Sequence, residues 1–243
     1  MKLKKIASLA LAGVMTVSML AGCNTTTVDP EPTPNPGDDE PTVSGYSQML
    51  YNHLSYTAKK KVQPQDSNDV NDALATAMEY AAGNTIAGSY DNFMDGDTHV
   101  VNLSWGGMFA WATAPDSLKN GAKALIRELG AENDVRLNQD LDATFNVLDP
   151  DGVNYNRDDM NISMLFVADG LKGKEAVMDE IADMIDDNVK LLEDDFDWDD
   201  GDSTDESMNT DYDYTMSVAA DTITLDADHG KSMTFVAVNI ARV

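Results

Sequence analysis

The chain predicts an α+β fold in which helices pack on a mainly antiparallel sheet. Three observations lead there. Apolar residues recur at helical spacing in several separate stretches, the C-terminal part switches to period two, and the strand–helix alternation of a parallel α/β fold is missing. Hydrophobic residues make up 42% of the 243, which is enough for a packed core and fits one domain.

The spacing of Tyr46, Met49, Leu50, His53, Leu54 and Ala58 predicts a helix over 46–61, with Lys59, Lys60 and Lys61 at the end where cations suit the helix dipole and Pro64 as its stop. Ser67 is a suitable N-cap for a second helix, whose stripe is Val70, Ala73, Leu74, Ala77, Met78 and Ala81, closed by Gly83. The short connection predicts that these two helices pair antiparallel. A short strand is expected over 99–103, followed by a bend at Trp105-Gly106-Gly107 and an apolar patch over 108–112. Pro115 and Asp116 open a third helix with Leu118, Ala122, Leu125, Ile126 and Leu129 inward, and Gly130 closes it.

Strands are expected over 144–148 and 162–168, with a turn at Asp149-Pro150-Asp151-Gly152 between them. A fourth helix over about 173–192 carries Val177, Ile181, Met184, Ile185, Val189 and Leu192 on one face. Tyr212, Tyr214, Met216 and Val218 alternate with polar residues, which predicts a strand with one solvated face. A further strand is expected over 222–225, a loop over 226–230, and a strand apolar on both faces over 232–241, completing a C-terminal β-meander.

Ahead of this domain, assigned to 46–243, lie two segments of different character. Asn24 to Gly45 holds five of the eight prolines, several acids and no cation. Such a stretch lacks the apolar surface to fold by itself and favours an extended form. At ~3.1 Å per residue it could reach about 65 Å. Before it, Lys2, Lys4 and Lys5 precede an apolar run from Ile6 to Leu20, which ends in Leu20-Ala21-Gly22-Cys23. A run of 15 residues is short for a mature transmembrane helix.

This N-terminus resembles that of a bacterial lipoprotein precursor, whose lipobox has the form Leu-Ala/Ser-Gly/Ala-Cys. The resemblance covers the first 23 residues. It implies export, cleavage after Gly22, a thioether-linked diacylglycerol on Cys23, and residence on the extracytoplasmic face of the cell membrane. Residues 1–22 are then a signal peptide and 23–45 a lipidated tether. Acyl chains such as palmitate give durable anchoring when two are present. Loss of three lysines with the signal leaves 13 Lys+Arg against 43 Asp+Glu, a net charge of −30.

The intact chain has a net charge of −27, which excludes nucleic acid as a partner, because neutralising phosphates takes clustered Lys and Arg. Cys23 is the one cysteine, so no intrachain disulfide can form. No Gly-x-Ser-x-Gly is present, and Ser104 before Trp105-Gly106-Gly107 reads as part of a bend. Gly230-Lys231-Ser232 lacks the glycine a phosphate loop needs five places earlier, where Leu225 stands. His53, His99 and His229 have no zinc spacing, and His53 reads as a core or boundary residue. Trp105 and Trp111 read as core, with no sugar-binding motif beside them.

The run from Glu193 to Glu206 packs nine acids into fourteen residues. Hard oxygen ligands at that density suit Ca²⁺, and Asp195, Asp197, Asp199 and Glu206 match the first, third, fifth and twelfth places of an EF-hand loop. Asp200 stands where that loop needs glycine, and Gly201 arrives one place late. The run therefore resembles a degenerate calcium loop, and its alternative is a solvated acidic loop. Asp149, Asp151, Asn154 and Asn156 form a sparser oxygen-rich segment.

The functional expectation is a non-enzymatic, membrane-anchored binding or envelope-associated module. Its alternatives are an extracytoplasmic hydrolase of cell-wall or glycan substrate and the solute-binding lipoprotein of a transporter. The partner expected is the membrane, through the lipid on Cys23, and the ligand is left open.

Overall fold

The computed structural model describes residues 44–82, 100–104, 114–131, 144–148, 160–193, 195–196, 210–226 and 231–243, with the backbone alone at 81–82, 195–196, 210–211 and 225–226. The expected strand at 99–103 is present as β2 (Val101–Asn102), while the apolar patch at 108–112 and the turn at 149–152 lie outside the described residues. The α+β class is observed. Among the described residues, four helices pack with a five-stranded, mostly antiparallel sheet of order β1 (Gln63–Pro64), β6 (Tyr214–Asp226), β7 (Lys231–Arg242), β3 (Asn161–Asp169), β2.

The first helix, α1, covers Tyr46–His53 and stops well short of 61. Leu54 turns to extended backbone, the Ser55 N–H donates to Asp186 Oδ1 at 2.8 Å, and Ser55 Oγ accepts from Ala58 N. That exchange of ladder bonds for side-chain bonds breaks the helix and starts a separate 3₁₀ turn, Ala58–Lys60. The apolar stripe survives the break, because Leu50, Leu54 and Ala58 are all buried. Lys59 reaches back to the Asn52 carbonyl at 2.8 Å and still serves the end of α1.

The chain then forms β1 (Gln63–Pro64), a two-residue edge strand parallel to β6. This corrects the expected pairing of the first two helices. β1 carries the chain along the sheet edge, so α1 and the second helix, α2 (Asn68–Ala82), join different cores. Ser67 Oγ accepts from Val70 N at 3.4 Å at the start of α2, as its N-cap role requires.

The third helix, α3 (Asp116–Glu128), packs against α2. A Cβ on Gly121 would meet the Ala77 carbonyl oxygen at 2.8 Å, so glycine is what lets the two backbones approach. Gly130, at φ 59°, closes α3 in the left-handed conformation.

Strand β3 (Asn161–Asp169) and helix α4 (Lys174–Lys190) follow the expected spans closely. Residues 144–148 do not form the expected strand. Val147 N bonds Thr144 O and Leu148 N bonds Phe145 O, which makes a helical turn. Phe145, Val147 and Leu148 are all buried in that turn. The turn is tied to the end of the sheet by Arg242, which is 1% exposed, donates to the Leu148 carbonyl at 3.2 Å and lies over the Tyr212 ring.

The C-terminal strands are longer than expected. β6 runs unbroken over Tyr214–Asp226, so 222–225 is its continuation rather than a second strand. β7 (Lys231–Arg242) pairs with both β6 and β3 and is central, as its two apolar faces require. β6 is also covered on both faces instead of one. Met216 and Val218 meet the core of α1 and α4, while Ala219 meets that of α2 and α3. Polar residues on the second face persist through pairing: Ser163, Asn239 and Ser217 stand in one cross-strand row, and Asn239 Nδ2 donates to Ser163 Oγ at 2.8 Å and to Asn161 Oδ1 at 2.9 Å.

Candidate functional site

Three places concentrate polar chemistry, and the largest is the seam between α1 and α4. The helices run parallel there. Tyr46 meets Lys174, His53 meets Glu175 and Asp179, and Ser55 meets Asp186. Helical spacing creates the seam, since Tyr46 and His53 lie two turns apart on α1, while Glu175 and Asp179 lie one turn apart on α4.

The His53 side chain is 21% exposed, and each ring nitrogen lies 3.0 Å from a carboxylate oxygen, Nε2 from Glu175 Oε1 and Nδ1 from Asp179 Oδ1. The expectation of a boundary residue is met, but the two carboxylates come from more than 120 positions away. Lys174 Nζ donates to Tyr46 Oη and to the Ala220 carbonyl, and sits 4.5 Å from the Tyr46 ring centre. Lys172 pairs with Glu180, whose other oxygen accepts from Val100 N at 2.6 Å.

Burial pulls the Asp186 carboxyl upward, but the Lys190 ammonium at 2.6 Å and the Ser55 N–H outweigh it and hold the group below its ordinary value. Lys190 is correspondingly raised, by Asp186 first and Asp187 second. Asp66 behaves like Asp186. Burial raises it, and the Gly45 N–H together with bonds from Ser47 and Ser44 lowers it further than burial raises it.

The second place is the acidic run. α4 ends at Lys190, and Asp195–Phe196 forms β4, paired antiparallel with β5 (Thr210–Asp211). Tyr214 Oη donates to the Glu193 carbonyl at 2.9 Å just before it. The ladder thus holds Asp195–Phe196, inside the run, beside Thr210–Asp211, which follow it. Asp195 lies in a strand, four residues separate it from the helix, and a strand follows the run, so this differs from the helix–loop–helix of an EF-hand. Asp197, Asp199 and Glu206 lie outside the described residues, as do Cys23, Asp149, Asp151, Asn154, Asn156, His99, His229 and the three tryptophans. Among the described residues, no three His, Cys, Asp or Glu side chains converge as a metal site.

The third place is a depression of about 190 Å³ beside the end of α4, lined in part by Phe145, Asn188, Leu191 and Glu193. It is smaller than the ~300–1,000 Å³ of sites that enclose a drug-sized ligand. Among the described lining residues Glu193 is the one carboxylate, and glycoside hydrolysis takes a facing pair. Ser104, singled out beside Gly106-Gly107, is buried, and its hydroxyl accepts the Leu165 N–H at 2.8 Å, so that oxygen serves the sheet. Lys231 and Ser232 open β7 and are not part of a phosphate loop.

No family model, curated protein or solved structure matches this chain.

Proposed function

We propose that this chain is an exported lipoprotein, anchored to the extracytoplasmic face of the cell membrane by lipid on Cys23, whose acidic α+β domain acts as a non-enzymatic binding or envelope-associated module. The observation that carries the reading is the ordered series of Lys2, Lys4 and Lys5, the apolar run from Ile6, and Leu20-Ala21-Gly22-Cys23. The Pro-rich segment after Cys23 then acts as the spacer between lipid and domain. Its last residues meet the domain at a fixed point, where the Gly45 N–H donates to Asp66 Oδ2 at 3.0 Å and Ser44 Oγ contacts the other oxygen.

The test is the mass of the mature N-terminal peptide. A chain beginning at Cys23 and carrying diacylglycerol supports the reading, and a chain that retains Met1 or bears an unmodified Cys23 contradicts it.

A second reading concerns the acidic run. The ladder between β4 and β5 closes the chain segment that contains Asp197, Asp199 and Glu206, which lowers the ordering cost of wrapping those carboxylates around an ion. We propose Ca²⁺ as that ion, with Asp195, Asp197, Asp199 and Glu206 as ligands, bound weakly in the manner of extracellular modules, with dissociation on the order of 10⁻⁴–10⁻³ M.

A further inference from the structure

His53 stands between two carboxylates with a 3.0 Å contact at each ring nitrogen. A neutral imidazole has one N–H and one lone pair. In that form one of the two contacts sets a lone pair against a carboxylate oxygen. Both contacts are hydrogen bonds at once in the imidazolium alone, where each nitrogen donates.

Around α1 this ring is the group held by a carboxylate at each of its two nitrogens, while Asp66 is engaged by the Gly45 N–H at the start of the helix. Glu175 and Asp179 are the carboxylates that face it. Lys174 is engaged by Tyr46 and the Ala220 carbonyl, Asp186 by Ser55 and Lys190, and Lys59 by the Asn52 carbonyl. Asp183 lies one turn beyond Asp179, and Asp221 on β6 accepts from Thr222 N. α1 itself has no other ionic side chain. It is an eight-residue helix, too short to be stable by itself, so its docking decides whether it stays formed.

We propose that His53 is a proton-operated latch for α1: the imidazolium fastens the first helix of the domain to Glu175 and Asp179 of α4, and loss of the proton releases one of the two bonds. The sign follows from the chemistry. The latched form holds the proton, so the latch is closed where the ring is protonated and loosens where it is neutral. α1 is also where the N-terminal segment enters the domain, so the device sets how firmly that entry point is held.

The test is amide hydrogen exchange along 50–55 between about pH 5.5 and about pH 8, corrected for intrinsic exchange, in the full-length protein and its His53→Gln variant. The opening constant of the unsubstituted protein should rise with pH by up to about fivefold, the ceiling for a solvent-facing ion pair, while that of His53→Gln stays flat. In parallel, ¹⁵N shifts of the His53 ring in the unsubstituted protein should show two protonated nitrogens at the acid end of the range. A neutral single tautomer at the acid end, or the same pH dependence in both proteins, overturns the proposal.

Discussion

The hydroxyls of Ser47 and Ser104 do the same work at opposite edges of the sheet. Beyond β1, Ser47 Oγ accepts the Val218 N–H of β6 at 2.9 Å and donates to the Gln65 carbonyl. Beyond β2, Ser104 Oγ accepts the Leu165 N–H of β3 at 2.8 Å. Both serines are 2% exposed. Two-residue edge strands would leave buried donors on the longer strands, and each serine supplies the missing acceptor.

Replacing either serine by alanine leaves a buried N–H without its acceptor. Ser47→Ala and Ser104→Ala should each cost about 1–3 kcal/mol in urea unfolding, with the denaturant slope unchanged. A loss below a few tenths would mean that water or a neighbouring group replaces the hydroxyl.

At Gly121 two effects oppose one another. Alanine in a helix interior normally gains about 1 kcal/mol over glycine. Here its Cβ would lie 2.8 Å from the Ala77 carbonyl oxygen, a backbone atom that moves only if α2 and α3 separate. Overpacking of this kind costs about 1–3 kcal/mol, so Gly121→Ala should be destabilising in thermal unfolding, and a raised midpoint would refute the close approach.

Much of this architecture is legible in the sequence. Most residues of the α2, α3 and α4 stripes are buried, with Leu129 and Met184 half-buried against the core and the Ala81 side chain outside the described residues, and apolar residues on both faces of β7 place it centrally. What sequence patterning misses depends on contacts far along the chain. β1 is two residues long and contains Pro64, so no periodicity marks it, and without it α1 and α2 look like a hairpin. The break after His53 needs Asp186, and the pairing of His53 needs Glu175 and Asp179. None of these partners has a local signature. The acidic run stands out by composition, yet the ladder that joins Asp195–Phe196 to Thr210–Asp211 is too short to show a period.

The lowered pKa of Asp66 gives a pH-dependent contribution. Its folded carboxyl lies below its ordinary value, so the stabilisation is fully present above the unfolded value of about 3.9 and is lost as pH falls through the lower folded one. Asp66→Asn should therefore be less stable than the unsubstituted protein at pH 7, with the gap closing in acid below about pH 4. Chemical unfolding at a series of pH values measures it, and a gap that persists unchanged at the acid end would assign the effect to packing.

Calcium binding by the acidic run predicts a raised melting midpoint in millimolar Ca²⁺ at fixed ionic strength, by mass action on the folded state. The Asp195→Asn, Asp197→Asn double variant should lose that rise. Equal shifts in the two proteins, or no shift in either, would leave the run as a solvated acidic loop.

The central claim is that Cys23 attaches this domain to a membrane. Detergent phase partitioning and membrane fractionation of the full-length precursor, expressed beside Cys23→Ser in a bacterial host, test it most directly. The cysteine form should enter the detergent phase, sediment with membranes and run as the processed chain of 221 residues, while the serine form is released or stays unprocessed. Identical partitioning and identical migration of the two forms would contradict the account.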